Sequence, residues 1–300
     1  MAVYKKSYRP YQGELTPSWK RFLVIPRYAF EDLHRSRFLT IFYLASFLYP
    51  LIAALIIYIE HNVEALKLLN LGPAAQLIAI DAGFFMSFLG WQSMLALFLA
   101  AFIGPGQVSP DLANNALALY LARPFSRAEY VLGKASVLLV LMSLMTWVPG
   151  LLLFWLEGYL EGAGWAGEHA RVASGLFFGS WAWIVVLTLL SLALSAWVKW
   201  RPAAGALVFG VFFVASAFGN AINTTQDTRW GHLLSMDTLI GSVWLQLFLG
   251  DYPASTGAAF FRLEAGRHLP FWSCWLMLAA WCMACLYMLA RKIRGVQVVR

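Results

Sequence analysis

The sequence predicts an all-α polytopic membrane protein with six transmembrane helices. Its 300 residues are 61% hydrophobic and 12% charged, whereas a soluble domain has about 25% charged residues. About 20 apolar residues in a helix span a hydrocarbon core, and six charge-free runs reach at least 22 residues. The runs are solidly apolar, which excludes the alternating strands of a membrane barrel. They cover 38–59, 82–110, 135–156, 172–198, 202–226 and 269–290.

A seventh apolar run, 238–250, is too short to cross the bilayer, and it predicts a re-entrant or interfacial segment before helix six. We find no long linker and no soluble region of useful size. The sequence therefore predicts one transmembrane domain over 1–300. It consists of a cytoplasmic arm and amphipathic helix (1–37), a six-helix membrane region (38–290) and a cytoplasmic basic tail (291–300).

The distribution of Lys and Arg predicts the orientation. The N-terminal segment, the connections after helices two and four, and the C-terminal tail hold 17 of the 22 basic residues, and the other connections hold five. Acidic residues show the opposite bias, five against ten. By the positive-inside rule, both termini and the 104–134 connection are cytoplasmic. Topology and anionic lipid thus explain the net charge of +7, and we expect no nucleic-acid partner.

Three prolines lie where they should shape the helices. In the amphipathic segment 19–37, whose aromatic and aliphatic residues interleave with basic ones, Pro26 is expected to break or kink the helix. Pro50 lies inside helix one, where neighbouring helices must satisfy the freed backbone group. Pro149, followed by Gly150, predicts a kink in helix three.

The most informative stretch is the semi-polar connection 104–134, because a simple turn would need only a few residues. Helix two is expected to end at Gly104. Ser109, Pro110 and Asp111 together are typical of a helix start, and the apolar face of that short helix would comprise Leu112, Ala116, Leu119 and Tyr120.

The same connection carries a second helix start. Pro124 disfavours helical backbone at Arg123 and should end the short helix there. Ser126 and Glu129 then form a capping box that begins helix three. The connection is therefore predicted to be a break, a short surface helix, another break and the entry to helix three.

The sequence contains no convincing catalytic or nucleotide-binding motif. The glycines at 162, 164 and 167 match a dinucleotide fingerprint, but no strand precedes them. Gly133 and Lys134 lack the rest of a phosphate-binding loop, so no ATP hydrolysis is expected in this chain. The histidines are scattered through loops, and no charged residue lies well inside a span. Since ion-coupled transporters usually need such a residue, any driving energy must come from elsewhere.

Small residues allow close helix approach in two places. Gly175 and Gly179 in helix four form a small-xxx-small pattern, which suits either internal packing or a dimer contact. Helix five combines Gly205, Gly210 and Ser216 with aromatic residues, which could line an apolar route.

The topology and the segment 122–134, Ala-Arg-Pro-Phe-Ser-Arg-Ala-Glu-Tyr-Val-Leu-Gly-Lys, resemble the permease subunits of type-2 ABC transporters, the six-helix exporters. In terms of that resemblance, 19–37 is the elbow helix, 111–121 is the coupling helix and 199–202 is a second cytoplasmic contact. The run 232–250 is similar to the re-entrant helices that precede span six.

The resemblance implies a permease that catalyses no reaction itself. It would form the substrate pathway as a homodimer or heterodimer in a bacterial inner membrane. A separate cytoplasmic ABC ATPase would bind Mg-ATP, and the chain itself would hold no cofactor or metal. An alternative is a non-transporting anchor or assembly subunit that docks a cytoplasmic partner. The residues implied in ATPase coupling are Asp111, Leu119, Tyr120, Arg123, Pro124, Phe125, Ser126, Arg127 and Glu129. Those implied in the dimer and pathway, along spans one and five, are Gly205, Phe209, Gly210, Phe213 and Ser216.

Overall fold

The structure, a computed structural model, describes residues 17, 23–62, 79–114, 116, 126–162, 164–250 and 269–293. Every regular element in these ranges is helical. Six segments are long and apolar enough to cross a bilayer, so the chain is an integral membrane protein, as predicted.

The spans are made of nine of the helices. Helix α1 (Val24–Arg35) precedes the first span. Span one comprises α2 (Arg37–Ala45) and α3 (Leu48–His61). Span two comprises α4 (Ala82–Ile103) and α5 (Pro105–Ala113), and span three comprises α6 (Arg127–Met145) and α7 (Trp147–Glu161). The short α8 (Trp165–Glu168) leads to span four, α9 (Ala170–Trp197), and then to span five, α10 (Arg201–Gln226). A 3-10 turn (Trp230–Leu233) and α11 (Met236–Leu249) precede span six, α12 (Phe271–Lys292).

Helix α1 starts near Pro26 instead of breaking there. The proline is the third residue of the helix, where a backbone N–H would have no intrahelical partner anyway. The break lies ten residues later at Ser36, whose extended backbone separates α1 from α2 and whose hydroxyl accepts a bond from Leu39 N. Helix α1 packs against α6, with Ile25 buried and Tyr28 exposed.

Span one is interrupted just before Pro50, and a neighbouring helix satisfies the freed backbone group, as predicted. Proline cannot donate to the carbonyl of Ser46, four residues earlier, and the helix is broken at Ser46 and Phe47. The freed carbonyl accepts a bond of 3.1 Å from Nε2 of Gln92 in α4. A side chain of span two therefore satisfies the backbone of span one, which explains a fully buried glutamine in an apolar helix.

Span three has a similar interruption at Thr146, three residues before Pro149. Thr146 lies outside the helical region at φ −105° and ψ −88°, and its hydroxyl donates to the carbonyl of Met142 at 2.8 Å. The predicted kink is therefore present, slightly upstream of the proline.

Span two does not end at Gly104. The glycine has helical backbone angles, and its N–H bonds to Ala100 O at 2.9 Å. The chain continues through Pro105 to Ala113, so that α4 and α5 form a segment of 32 residues. Pro110 lies inside α5. The predicted helix start at Ser109 is therefore wrong, because Ser109 is already in the helix and its polar groups have other partners.

Span four is the centre of the bundle and contacts spans two, three, five and six. Helix α11 packs along it, and the small residues of span four make room: a Cβ on Gly175 would lie 2.7 Å from the ring of Phe248. Likewise, a Cβ on Gly179 would lie 2.9 Å from the indole of Trp244, whose Nε1 donates to Gly179 O at 2.9 Å. The small-xxx-small pattern thus serves internal packing, and α11 lies inside the bundle.

The spans differ in how much of their surface the chain itself covers. In spans two, three and four, 61–67% of the residues in the most apolar 18-residue stretch are buried inside the protein. In spans one, five and six, the buried share of that stretch is 22%, 22% and 28%. The three peripheral spans therefore present apolar side chains to lipid or to another protein.

Candidate coupling and pathway sites

Helix α5 is fastened to the end of span four by one serine. The hydroxyl of Ser195 accepts the N–H groups of Val108 and Ser109, at 3.2 and 2.9 Å, and donates to the carbonyl of Pro105 at 2.9 Å. It thus lies between Ser109 N and Pro105 O, two groups that would bond to each other in a regular helix. Because the side chain of one helix completes the hydrogen bonding of another, α5 and span four are held in one geometry.

The connection between spans four and five adds to this attachment. The hydroxyl of Ser109 lies 2.7 Å from Val198 O and 2.8 Å from Lys199 O, so it can donate to either carbonyl at the end of span four. Ser109 is fully buried. The segment 199–202, predicted as the second cytoplasmic contact, is therefore in direct contact with the 104–134 connection.

An ion pair fastens α5 to span three. Nζ of Lys134 lies 2.8 Å from Oδ2 of Asp111, and the hydroxyl of Tyr130 donates to the same oxygen at 2.8 Å. Tyr130 is fully buried, and Lys134 also lies 5.8 Å from the centre of its ring. Asp111 was predicted as an ATPase-coupling residue, and its carboxylate faces its own chain.

The predicted capping box is confirmed. Ser126 Oγ accepts Glu129 N at 3.2 Å, and Glu129 Oε2 accepts Ser126 N at 2.6 Å. The Glu129 carboxylate is therefore used in starting α6. The Arg127 side chain is exposed beside it. Five of the predicted coupling residues lie outside the described residues: Leu119, Tyr120, Arg123, Pro124 and Phe125.

The predicted dimer and pathway residues of α10 divide between two faces. Gly205 is buried, and a Cβ there would lie 2.6 Å from Ala101 O in span two. Ser216 is also buried and donates to Oδ1 of Asp237 at the start of α11. Both residues thus have contacts within the chain, which reflect the need of α10 to pack closely on its neighbours. Gly210 has open space around it, and Phe213 is 57% exposed.

Aromatic rings connect spans one, two and five in a continuous band. Each neighbouring pair of rings has centroids 5.2–6.4 Å apart, within the range of favourable aromatic contacts. Three of its rings are exposed, Phe38, Phe102 and Phe213, and the other three are half-buried. Its members are Phe38, Phe42, Phe102, Phe98, Phe209 and Phe213.

An apolar cavity of about 200 Å³ lies between α1 and spans one, two and three. Phe30 of α1 lines it together with Tyr43, Leu99 and Leu141. The Tyr43 hydroxyl is occupied by a bond of 3.3 Å to Leu141 O, so the cavity wall is apolar.

Ionisable residues near both ends of span three are buried, Lys134 close to its start and Glu157 close to its end. Lys134 and Glu157 lie within helices α6 and α7, which extend beyond the run 135–156. The expectation that the histidines lie in loops is wrong for His61, which ends α3 and contacts Glu157 and Glu161. Their separation in sequence gave no signal of this contact, although the spacing of the two glutamates by four residues places them on one helix face.

A scan against models of protein families finds no match, and a search of curated proteins also finds none. The functional argument therefore depends on the residues and contacts described above.

Proposed function

We propose that the chain is the membrane-spanning permease subunit of an ATP-driven ABC transporter that works as an exporter. It would act as a dimer in a bacterial inner membrane, with both termini cytoplasmic, and it would be coupled through the 104–134 segment to a separate ATPase that binds Mg-ATP. The chain itself would have no enzymatic role.

The observation that carries the proposal is the double attachment of α5. One end of the 104–134 segment is bonded through Ser195 to span four and through Asp111 to span three. A force applied to this segment would therefore reach three spans at once. Rigid elements linked by hydrogen bonds are the kind of structure that transmits a conformational change, and a membrane protein without such a role would need only a short turn here.

The aromatic band supports the pathway part of the proposal. Spans one and five, at its two ends, leave most of their apolar surface uncovered. A second copy on this face would enclose the band between two chains, and its rings would suit an amphipathic or lipid-linked cargo better than a small ion. The band includes Phe209 and Phe213, both predicted as pathway residues.

The partner is tested by purification from a native membrane. The chain, with a removable tag, is isolated in a mild detergent and in lipid nanodiscs, and co-purifying proteins are identified by mass spectrometry. We expect a stoichiometric ABC ATPase whose hydrolysis rate depends on the chain. Recovery of the chain without any ATPase in both media would overturn the proposal.

The coupling residues are then tested in that complex. Phe125→Ala and Tyr120→Ala should uncouple ATP hydrolysis more strongly than Arg127→Ala, because buried aromatic anchors contribute about 2 kcal/mol or more and charges at a rim contribute little. Equal, full activity in all three variants would contradict the coupling assignment.

Transport is distinguished from simple anchoring by cross-linking. Phe213→Cys should form a cross-link between two copies, and its yield should change when ATP with vanadate arrests the ATPase. A yield independent of nucleotide, with the ATPase bound, would favour the alternative function as an anchor or assembly subunit.

A further inference from the structure

A histidine and two glutamates converge where spans one and three end. His61 is the last residue of α3, and Glu157 and Glu161 lie one turn apart on the last part of α7. His61 Nε2 is 2.9 Å from Glu161 Oε2 and 3.8 Å from Glu157 Oε1. One ligand atom from each residue lies within 4.8 Å of the other two. This end of the bundle is the one predicted to face the outside.

The imidazole is oriented for binding through Nε2. Nδ1 of His61 lies 3.1 Å from the carbonyl of Ile57 in its own helix. Since a carbonyl only accepts, Nδ1 must carry a proton there, and in the neutral ring Nε2 then has a free lone pair. A backbone carbonyl that holds the other ring nitrogen is the usual outer partner of a metal-binding histidine.

Glu157 provides an independent indication that a ligand is missing. Its residue is 3% exposed, and its Oε2 atom has no hydrogen-bond partner among the described residues. Burying a carboxylate without a partner is costly. Glu60, next to His61, also acts electrostatically on Glu157 and raises the negative charge at this site. The carboxylates therefore need a positive charge that the single imidazole, unless protonated, does not supply.

We propose that His61, Glu157 and Glu161 bind a divalent transition-metal ion of the zinc class. Zn²⁺ takes one imidazole nitrogen and two carboxylate oxygens as ligands, at about 2.0–2.2 Å in a tetrahedron, and three protein ligands leave a fourth position open. The two carboxylates balance the charge of the ion. A histidine ligand disfavours Ca²⁺ and Mg²⁺, which prefer oxygen ligands only.

The position of the site lets the ion enter from solvent and lets the bound ion link two spans. The Glu161 side chain is 53% exposed and the Glu157 side chain 4% exposed, so the site opens to solvent on the Glu161 side and is closed on the other. Because one ligand is on α3 and two are on α7, the bound ion joins span one to span three. It would therefore limit the separation of these spans at this end of the bundle.

The test is a titration of the full chain with Zn²⁺. Tag-free protein in detergent is stripped with EDTA and titrated with Zn²⁺ against a chromophoric chelator, and its thermal unfolding is followed with and without the ion. We expect one ion per chain, a higher unfolding temperature with Zn²⁺, and neither effect with Ca²⁺ or Mg²⁺.

Single replacements identify the ligands. His61→Gln and Glu161→Gln should each weaken Zn²⁺ binding by at least the roughly 10- to 100-fold that loss of an outer partner costs. Glu161→Gln is the more informative variant because its exposed side chain is not needed for folding, and its unfolding temperature in EDTA checks this. Glu168→Gln is the matched control, since Glu168 is an exposed carboxylate of the nearby α8, and it should bind Zn²⁺ normally.

Two results would overturn the proposal. One is no Zn²⁺ binding by the stripped chain, which would leave a protonated histidine as the charge that balances the glutamates. The other is binding that His61→Gln and Glu161→Gln leave unchanged, which would place the ion elsewhere.

Discussion

Nζ of Lys134 lies 2.8 Å from Oδ2 of Asp111 and joins the start of span three to the last turn of span two. The two side chains are only 11% and 15% exposed. Removing one partner of a buried pair strands the other charge, whereas removing both is often nearly neutral. The main role of the ion pair is therefore to specify that the start of span three packs against the end of span two.

Lys134→Met should lower the free energy of unfolding by about 3 kcal/mol, because it leaves Asp111 buried without its cation. Adding Asp111→Asn should recover most of that loss. Thermal unfolding in detergent measures both effects. If the double variant is as unstable as the sum of the single variants, the two side chains do not interact energetically.

Ser195→Ala should loosen α5 from span four and uncouple ATP hydrolysis from the membrane domain while the chain still folds. The variant leaves the N–H of Ser109 and the carbonyl of Pro105 without the hydroxyl that lies between them. Ser174→Ala is the control, since that hydroxyl of the same helix donates to the carbonyl of Arg171 one turn away in its own helix. ATPase stimulation in the reconstituted complex distinguishes the two; equal stimulation would contradict the role of Ser195.

Gln92→Met should destabilise the fold by about 1–3 kcal/mol, because it leaves Ser46 O without its donor in an apolar environment. In a Pro50→Ala background the alanine N–H can supply the missing bond, so the same replacement should cost much less. Unfolding temperatures of the four variants in detergent test this. A cost that is independent of residue 50 would mean that Gln92 acts by packing alone.

Gly205→Ala should separate spans two and five, because the added Cβ would lie 2.6 Å from Ala101 O. Gly210→Ala in the same helix meets no atom within 4 Å and should be tolerated. The yield of folded protein and the unfolding temperature, measured for both variants, show which glycine is needed for helix packing. Equal tolerance at both positions would contradict the close approach of the two spans.

Cysteine labelling tests the predicted orientation. An impermeant maleimide should label Glu168→Cys in sealed cells and Ser126→Cys only after permeabilisation. Both native side chains are exposed, so a difference in labelling reports the side of the membrane and not burial. Labelling of Ser126→Cys in sealed cells would reverse the orientation and remove the coupling argument.

The sequence predicts the spans well because their signal is local. Uninterrupted apolar runs give the six segments, and the fixed ring of Pro50 marks the break in span one. Local signals fail where distant groups replace a missing backbone partner. Gly104, Pro105 and Gly106 are typical of a helix end, yet the chain continues as a helix because Ser195, about 90 residues away, completes the hydrogen bonds of α5.

Among the candidate functional residues, too, local patterns could be predicted from the sequence and long-range contacts could not. The capping box of Ser126 and Glu129 depends on residues three apart and is confirmed. The contact of His61 with Glu157 and Glu161 spans about 100 residues, so no spacing rule reveals it. The charge-free run 135–156 also gives no sign that Lys134 and Glu157, at its two ends, are buried.

The enclosure of α11 has a consequence for biogenesis. This helix of 14 residues is too short to be inserted as a span of its own, and spans four, five and six surround it. Trp244 bonds to Gly179 in span four, but the face of α11 that packs against span six is covered only once span six has entered the bilayer. A nascent chain that stops before Phe271 would lack this cover, so the packing of the short helix is completed by the last span to be made.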